Sequence, residues 1–306
     1  MYKVFIDGSA GTTGLKIVDR LSSRKDLQLI TLPEELRKDV DARKQAINQA
    51  DVVFLCLPDV ASIEAVSLIE NDNVRVIDTS TAHRTADGWE YGFPELFGRR
   101  ERILNAKRIA NPGCHASGFI ALIEPLVRNG IIDKSVNLSC FSITGYTGGG
   151  KKMIAEYENA LPTLYKAPRQ YGLSQEHKHL PEMSVISGLD NLPAFCPIVA
   201  PFACGMEVTV PLFKKDVKGG INAIKEIYKG QYTGKIVHYD ENSDETGFLS
   251  ANAFSGRDDM QISVFGNEDR ILLVSRFDNL GKGASGAAIQ NMNILLGVDE
   301  TTGLNV

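Results

Sequence analysis

The chain has 306 residues, 43% of them apolar and 23% charged, and a net charge of −5 spread over interspersed acids and bases. That length is long for one hydrophobic core and comfortable for two. The absence of a basic cluster argues against non-specific nucleic-acid binding, which needs concentrated positive charge to displace counterions.

The chain starts on a strand-like YKVFID with no basic flank, so no signal peptide is expected. No apolar run approaches the roughly 20 residues a membrane helix needs. Residues 194–206 form the longest, and Pro197 and Pro201 interrupt it. Five cysteines without framework spacing predict free thiols and a reducing, cytoplasmic setting.

The first third alternates strand and helix. Residues 4–6 read as a strand and 15–21 as a helix. A strand over 27–32 is followed by a helix over 41–48, with Asp41 as its cap. The continuous apolar run VVFLCL at 52–57 suits a strand buried on both faces of a parallel sheet. Asp59 then caps a helix to Ile69, and residues 74–77 form a fourth strand. This rhythm predicts an open, doubly wound α/β sheet.

Beyond residue 112 the pattern changes. A helix over 117–127 precedes longer strands at 136–144, 207–213, 261–264 and 270–278, with helices at 151–159 and 219–229 between them. This half reads as an α+β domain with a mostly antiparallel sheet. Residues 161–194 read as a long loop, and 284–296 as a closing helix.

The first strand and first helix are joined by Gly8-Ser9-Ala10-Gly11-Thr12-Thr13-Gly14. Glycines there let the backbone approach a pyrophosphate, and the helix start supplies N–H donors and positive dipole. A dinucleotide site is therefore expected at Gly8, Ser9, Gly11, Thr12, Thr13 and Gly14. The second strand ends without an acid on its last residue, and Glu34 and Glu35 precede Arg37 and Lys38. That basic pair favours NADP over NAD, through a 2′-phosphate; a solvated surface pair is the other reading.

Four cysteines lie in apolar or strand-like surroundings and read as small buried hydrophobes. Cys114 differs, because it follows Asn111-Pro112-Gly113 and opens a helix. A thiol at a helix N-terminus faces the positive end of the dipole, which favours the thiolate. Cys114 is the expected nucleophile. His177 and His179, in the stretch 175–182, are candidates for acid–base work, with Glu182 to orient a ring. The same His-x-His-x-x-Glu can ligate a metal, but no further ligand cluster accompanies it, so no metal is expected. His115 adjoins Cys114, and the ~100° turn per helical residue is expected to point it elsewhere.

Two further segments suit anions. Gly145-Tyr146-Thr147-Gly148-Gly149-Gly150-Lys151 follows a strand and opens a helix, so Gly148 and Lys151 can cradle an anionic group; a plain turn is the other reading. Arg84 ends the stretch 78–84 beyond the fourth strand, where doubly wound sheets bind ligands; a surface ion pair is its alternative.

These pieces together resemble the shorter type of N-acetyl-gamma-glutamyl-phosphate reductases of arginine biosynthesis. The most specific parts are Asn111-Pro112-Gly113-Cys114, His177-x-His179-x-x-Glu182, and the stretch from Asn279 through Gly281, Lys282 and Gly283 to Asn291. In that family's cysteine motif an aromatic often follows the nucleophile; here His115 does. The resemblance implies a Rossmann-type NADP-binding domain over 1–112, completed by 284–306. It also implies a catalytic and oligomerisation domain over 113–283, of the glyceraldehyde-phosphate and semialdehyde dehydrogenase type.

The implied reaction is NADPH-dependent reduction of N-acetyl-glutamyl-5-phosphate through a Cys114 thioester. Gly281, Lys282 and Gly283 would close over the cofactor, and Tyr171, Arg84 and Asn111 would join Gly148 and Lys151 around the substrate. A homo-oligomer, dimer or tetramer, is implied, with neither nucleic acid nor membrane as partner. The alternatives are a reductase of aspartyl or aminoadipyl phosphate, or a non-enzymatic NADP sensor on the same fold.

Overall fold

A computed structural model describes residues 1–159 and 162–306. The chain forms two compact units. Unit 1 comprises Met1–Pro94, Gly98–Pro112 and Ala284–Leu304; unit 2 comprises Glu95–Phe97, Gly113–Gly283 and Asn305–Val306.

Unit 1 runs β1 (Tyr2–Asp7), α1 (Thr12–Leu21), β2 (Leu27–Ile30), α2 (Val40–Gln49), β3 (Val52–Leu55), α3 (Asp59–Ser67), β4 (Arg75–Asp78), β5 (Glu90–Tyr91), α4 (Arg99–Asn105) and β6 (Arg108–Ala110). Among the described residues its sheet has six strands in the order β2-β1-β3-β4-β6-β5. Every pairing in it is parallel. The strand order reverses between β1 and β3, the crevice position at which such sheets bind ligands. All four residues of β3 are buried, as its unbroken apolar run demands.

The two cap assignments shift by a residue or two. Asp39, not Asp41, caps α2, with its carboxylate accepting the Ala42 N–H at 2.8 Å. Pro58, not Asp59, precedes α3, and the Asp59 carboxylate instead accepts from the Thr81 backbone and hydroxyl. Short β5 and β6 escape the sequence pattern, because two or three residues carry no period.

Unit 2 runs α5 (Cys114–Arg128), β7 (Ser139–Gly145), α6 (Gly150–Asn159), β8 (Arg169–Gln170), α7 (Leu180–Ser187), β9 (Ala194–Ala200), β10 (Met206–Phe213), α8 (Gly220–Gln231), β11 (Val237–Tyr239), β12 (Met260–Gly266) and β13 (Arg270–Phe277). Its described sheet has seven strands in the order β11-β12-β13-β10-β7-β9-β8. The pairs β11–β12 and β7–β9 are parallel and the rest antiparallel.

The expected long loop over 161–194 is corrected: it holds β8 and α7, and its first residue lies outside the described residues. The apolar stretch beginning at Ala194 is strand β9. Pro197 fits there because its carbonyl, and hence its missing N–H, faces the two-residue edge strand β8 and the Tyr171 N–H beyond it.

Helix α5 is apolar on nearly every side, with eleven of its fifteen residues buried. Pro125 lies inside it and cannot donate to the Ala121 carbonyl four residues back. The Tyr232 hydroxyl fills that place, donating to Ala121 O at 2.6 Å, and the Tyr228 hydroxyl donates to Leu122 O. The helix thus keeps its course through a proline because its neighbour α8 and the residue after it answer the freed carbonyls.

The chain re-enters unit 1 at Ala284. A π-helical turn over Gly281–Ser285 leads into α9 (Gly286–Leu296), in which all eleven residues are buried. Ala288, Ile289, Met292 and Leu295 join Val4, Ile6, Val52, Phe54 and Ile77 in one core. Each large aliphatic side chain there contributes roughly 1.5–3 kcal/mol by leaving water. Among the described residues no helix is long and apolar enough to cross a membrane.

Candidate active site

In unit 1 the candidate nucleotide residues follow β1 and β2, and the candidate substrate residues Arg84 and Asn111 follow β4 and β6. Gly8 has φ +84°, and a Cβ on it would meet the Cys56 carbonyl oxygen at 2.3 Å. A Cβ on Gly14 would meet the Gly8 carbonyl oxygen at 2.4 Å. The turn therefore closes only with bare backbone at both positions. Gly11 caps α1 without a side-chain bond, and the first turn holds no acid. Among the described residues no side-chain carboxylate caps the opening N–H groups of α1, and Ser9, Thr12 and Thr13 are half-buried.

Arg37 and Lys38 are exposed after a short 3₁₀ turn over Glu34–Leu36. Below the turn, Asp7 is buried against Arg43, whose Nε lies 3.1 Å from Asp7 Oδ2. Burial raises the Asp7 pKa, outweighing the pull of the guanidinium.

At the end of β4, Asp78 accepts from Ser62 Oγ and Ser80 Oγ, both at 2.7 Å, and lies 2.6 Å from His83 Nδ1. The His83 ring stacks on Trp89 with centroids 4.0 Å apart. Arg84 is buried and donates to the carbonyls of Asn111 (3.1 Å) and Thr79 (3.2 Å). Asn111 is engaged at both ends of its amide, donating to Ala284 O at 3.1 Å and accepting from Asn291 Nδ2 at 3.3 Å.

In unit 2, Cys114 is the first residue of α5 and is partly exposed. Gly113 precedes it as N-cap, and its N–H donates to Glu182 Oε2 at 3.2 Å. The other Glu182 oxygen lies 4.0 Å from His179 Nε2. One buried carboxylate thus faces both the loop before Cys114 and an imidazole. Gly283 crowds the same place, since a Cβ on it would stand 3.0 Å from the Cβ of Cys114. Of the four cysteines expected to be buried only Cys140 is; Cys56, Cys196 and Cys204 are partly exposed, like Cys114. Burial pushes the Cys56 thiol up to about 12 and raises that of Cys140 as well.

His177 and His179 meet at centroids 4.7 Å apart. His115, expected to point elsewhere, joins them, with its ring 5.7 Å from His177 and 5.6 Å from His179. Phe195 closes the cluster edge-on to His115 and His177. His115 Nδ1 lies 2.6 Å from Ser142 Oγ on β7, and Nε2 lies 2.6 Å from the Tyr171 hydroxyl. Burial, with His177 beside it, lowers the His115 pKa to about 3. Burial and the charge of nearby Cys114 raise the Tyr171 pKa.

Lys282 is buried with its Nζ 2.8–2.9 Å from both Glu95 oxygens. Gly148 and Lys151 are exposed on the 3₁₀ turn and first turn after β7. Ser142 and Phe195 went unnoticed in the sequence. Both sit on strands, and only the register of β7 against β9 brings them to α5. Among the described residues no group of three His, Cys, Asp or Glu could hold a metal.

This fold and this cysteine define a class. Residues 114–279 match the semialdehyde dehydrogenase dimerisation domain, and residues 33–106 match the semialdehyde dehydrogenase NAD-binding domain. The structure resembles aspartate semialdehyde dehydrogenase II from Vibrio cholerae, with a TM-score of 0.72, 16% identity and coverage of 97% of this chain and 99% of that one. It also resembles the Candida albicans aspartate semialdehyde dehydrogenase with NADP, with a TM-score of 0.69, 15% identity and coverage of 97% and 98%. Both likenesses bear on the fold.

Sequence relatives are more specific. N-acetyl-gamma-glutamyl-phosphate reductase 2 of Nostoc is 44% identical over 99% of both chains. The Brucella ovis N-acetyl-gamma-glutamyl-phosphate reductase is 46% identical over 96% of this chain and 99% of its own. The chain belongs to the N-acetyl-gamma-glutamyl-phosphate reductase family.

Proposed function

We infer that this protein reduces N-acetyl-glutamyl-5-phosphate to N-acetyl-glutamate 5-semialdehyde and phosphate with NADPH, a step of arginine biosynthesis. The observation that carries the mechanism is Cys114 as first residue of a buried helix, its preceding N–H held by Glu182.

Unit 1 serves as the NADP-binding domain, completed by the last helix. The bare cradle of Gly8 and Gly14 and the uncapped start of α1 fit a pyrophosphate. Ser9, Gly11, Thr12 and Thr13 line it, and exposed Arg37 and Lys38 suit a 2′-phosphate. NADPH, when bound, supplies the hydride. Unit 2 serves as the catalytic domain.

The Cys114 thiolate attacks the acyl carbon, phosphate leaves, and a thioester remains; backbone N–H groups at the start of α5 stabilise the oxyanion. After reduction the aldehyde separates from Cys114, and a protonated His179 or His177 gives its proton to the departing sulfur, which returns as the thiol. Glu182 orients the imidazole. Gly283 leaves room for Cys114, and Gly281 gives its turn the same tight backbone. Lys282, engaged by Glu95, anchors that turn. Gly148 and Lys151 receive the substrate's anionic groups, and Tyr171 faces its reacting end. Arg84 and Asn111, engaged within unit 1, hold the strand ends in place.

Free cysteines suit a reducing cytoplasm. One face of the unit 2 sheet leaves Phe141 and Leu272 exposed, 45% and 42%, with Ile198 and Phe265 half-buried on the same face. A second copy of the chain covers this face in a homo-oligomer.

Rapid mixing with acyl phosphate in the absence of NADPH tests the mechanism. A burst of one phosphate per chain is expected, and Cys114→Ser should abolish it while NADPH still binds. A burst that survives the substitution would remove Cys114 from the chemistry.

A further inference from the structure

We propose that Ser142 and His115 form a fixed hydrogen-bond chain that makes the Tyr171 hydroxyl an obligate donor into the Cys114 site. The argument is a count of protons. His115 is buried and neutral at neutral pH, so its ring carries one N–H. Among the described residues its two nitrogens have one partner each, Ser142 Oγ on Nδ1 and Tyr171 Oη on Nε2, both at 2.6 Å.

Two arrangements are possible. In one, the Tyr171 hydroxyl donates to Nε2 and Nδ1–H donates to Ser142. The Ser142 hydroxyl proton, at 0% exposure, then has no acceptor among the described residues. A buried donor left without an acceptor is costly. In the other, Ser142 donates to Nδ1 and Nε2–H donates to Tyr171 Oη. Every buried proton is then satisfied. The one proton left to place belongs to Tyr171, a half-buried side chain close enough to Cys114 for the sulfur's charge to act on it. The second arrangement is therefore the ground state.

The consequence rests on the reading of Cys114 as nucleophile. A hydroxyl that cannot donate backwards into the protein must donate forwards. The group that takes such a proton is the carbonyl oxygen of the acyl chain on Cys114, which gains negative charge when it is attacked or reduced. His115 and Ser142 touch neither substrate nor sulfur in this scheme; they are positioning residues for Tyr171.

Nitrogen-15 NMR of histidine side chains in the intact enzyme tests the tautomer. The His115 ring is assigned through its contacts with Phe195 and Tyr171. It should show a protonated Nε2 and a bare Nδ1, unchanged across neutral pH. A protonated Nδ1, or an imidazolium, would overturn the proposal.

Kinetics supply a second readout. Tyr171→Phe should lower kcat about tenfold, the size of one hydrogen bond made in the transition state, with KM nearly unchanged. Ser142→Ala releases the lock and should lower kcat about threefold. The double variant should match Tyr171→Phe alone, because Ser142 acts through the tyrosine. If the Ser142→Ala loss multiplies in full on Tyr171→Phe, the chain is not the route. Should the wild-type protein reduce no acyl phosphate, the functional reading fails, and the spectrum still decides the tautomer.

Discussion

Helices α1 and α5 begin alike and serve differently. Each starts after an extended glycine, Gly11 or Gly113, without a side-chain cap and without an acid in its first turn. Beyond that they diverge. Three of the ten residues of α1 are buried, against eleven of fifteen in α5. Around α1 the constraint is backbone against backbone, Gly14 on Gly8 and Gly8 on Cys56. Around α5 it is side chains: Glu182 on the Gly113 N–H, and His115 bridged between Ser142 and Tyr171. On the proposed function, the helix start that admits a diffusible anion is the bare one, and the one that holds the reactive sulfur is walled by side chains. The same dipole serves both, and the surroundings decide the use.

Substitutions on the two sides should separate these uses. The largest effect is expected at the walled end. Glu182→Gln keeps an oxygen for Gly113 but removes the charge beside His179, and kcat should fall by about 10²-fold while KM moves little. Steady-state kinetics with thermal melting would check it; a normal kcat would detach Glu182 from the chemistry.

Next comes the bare end. Gly14→Ala forces a Cβ to 2.4 Å from the Gly8 carbonyl oxygen. NADPH should bind about tenfold more weakly by titration, and Tm should drop by several degrees. Unchanged binding would mean the turn has slack that its backbone spacing denies.

The smallest effect at working pH concerns His115. Its pKa falls from an ordinary 6.5 to about 3 on folding, so the unfolded chain binds the extra proton between those values. Stability therefore rises with pH through that window and is lost as pH falls from about 6.5 toward 3. His115→Asn should flatten that acid-side loss in denaturant titrations while leaving its share at pH 7.5 unaltered. An acid slope identical to the wild type would place the proton uptake elsewhere.

Much of unit 1 was legible because parallel strands announce themselves: VVFLCL is apolar throughout, and the Gly-rich turn falls between a strand and a helix. The place of Cys114 at a helix start was legible from its glycine and the helix after it. His115 was not. A helix buried on nearly every side has no polar face, so the sequence gives no sign of where a first-turn histidine points. Ser142 was hidden for a related reason. Its alternation on β7 marks a face, but only the pairing with β9 and the packing of α5 give that face a histidine. Helix α7 was mistaken for loop because Pro181 and a polar approach look like loop composition, although proline is welcome in a helix's first turn.

The interruption of unit 1 by unit 2 has a consequence for how the protein is made. Synthesis runs from the N-terminus, and nearly all of unit 2 has been delivered by Gly283. The sheet of unit 1 must wait longer, because its central apolar layer lacks Ile289, Met292 and Leu295 until the final helix leaves the ribosome. The half that begins first is thus finished last, and a premature stop near the C-terminus would strip the nucleotide half of its keystone while sparing the half that carries the sulfur.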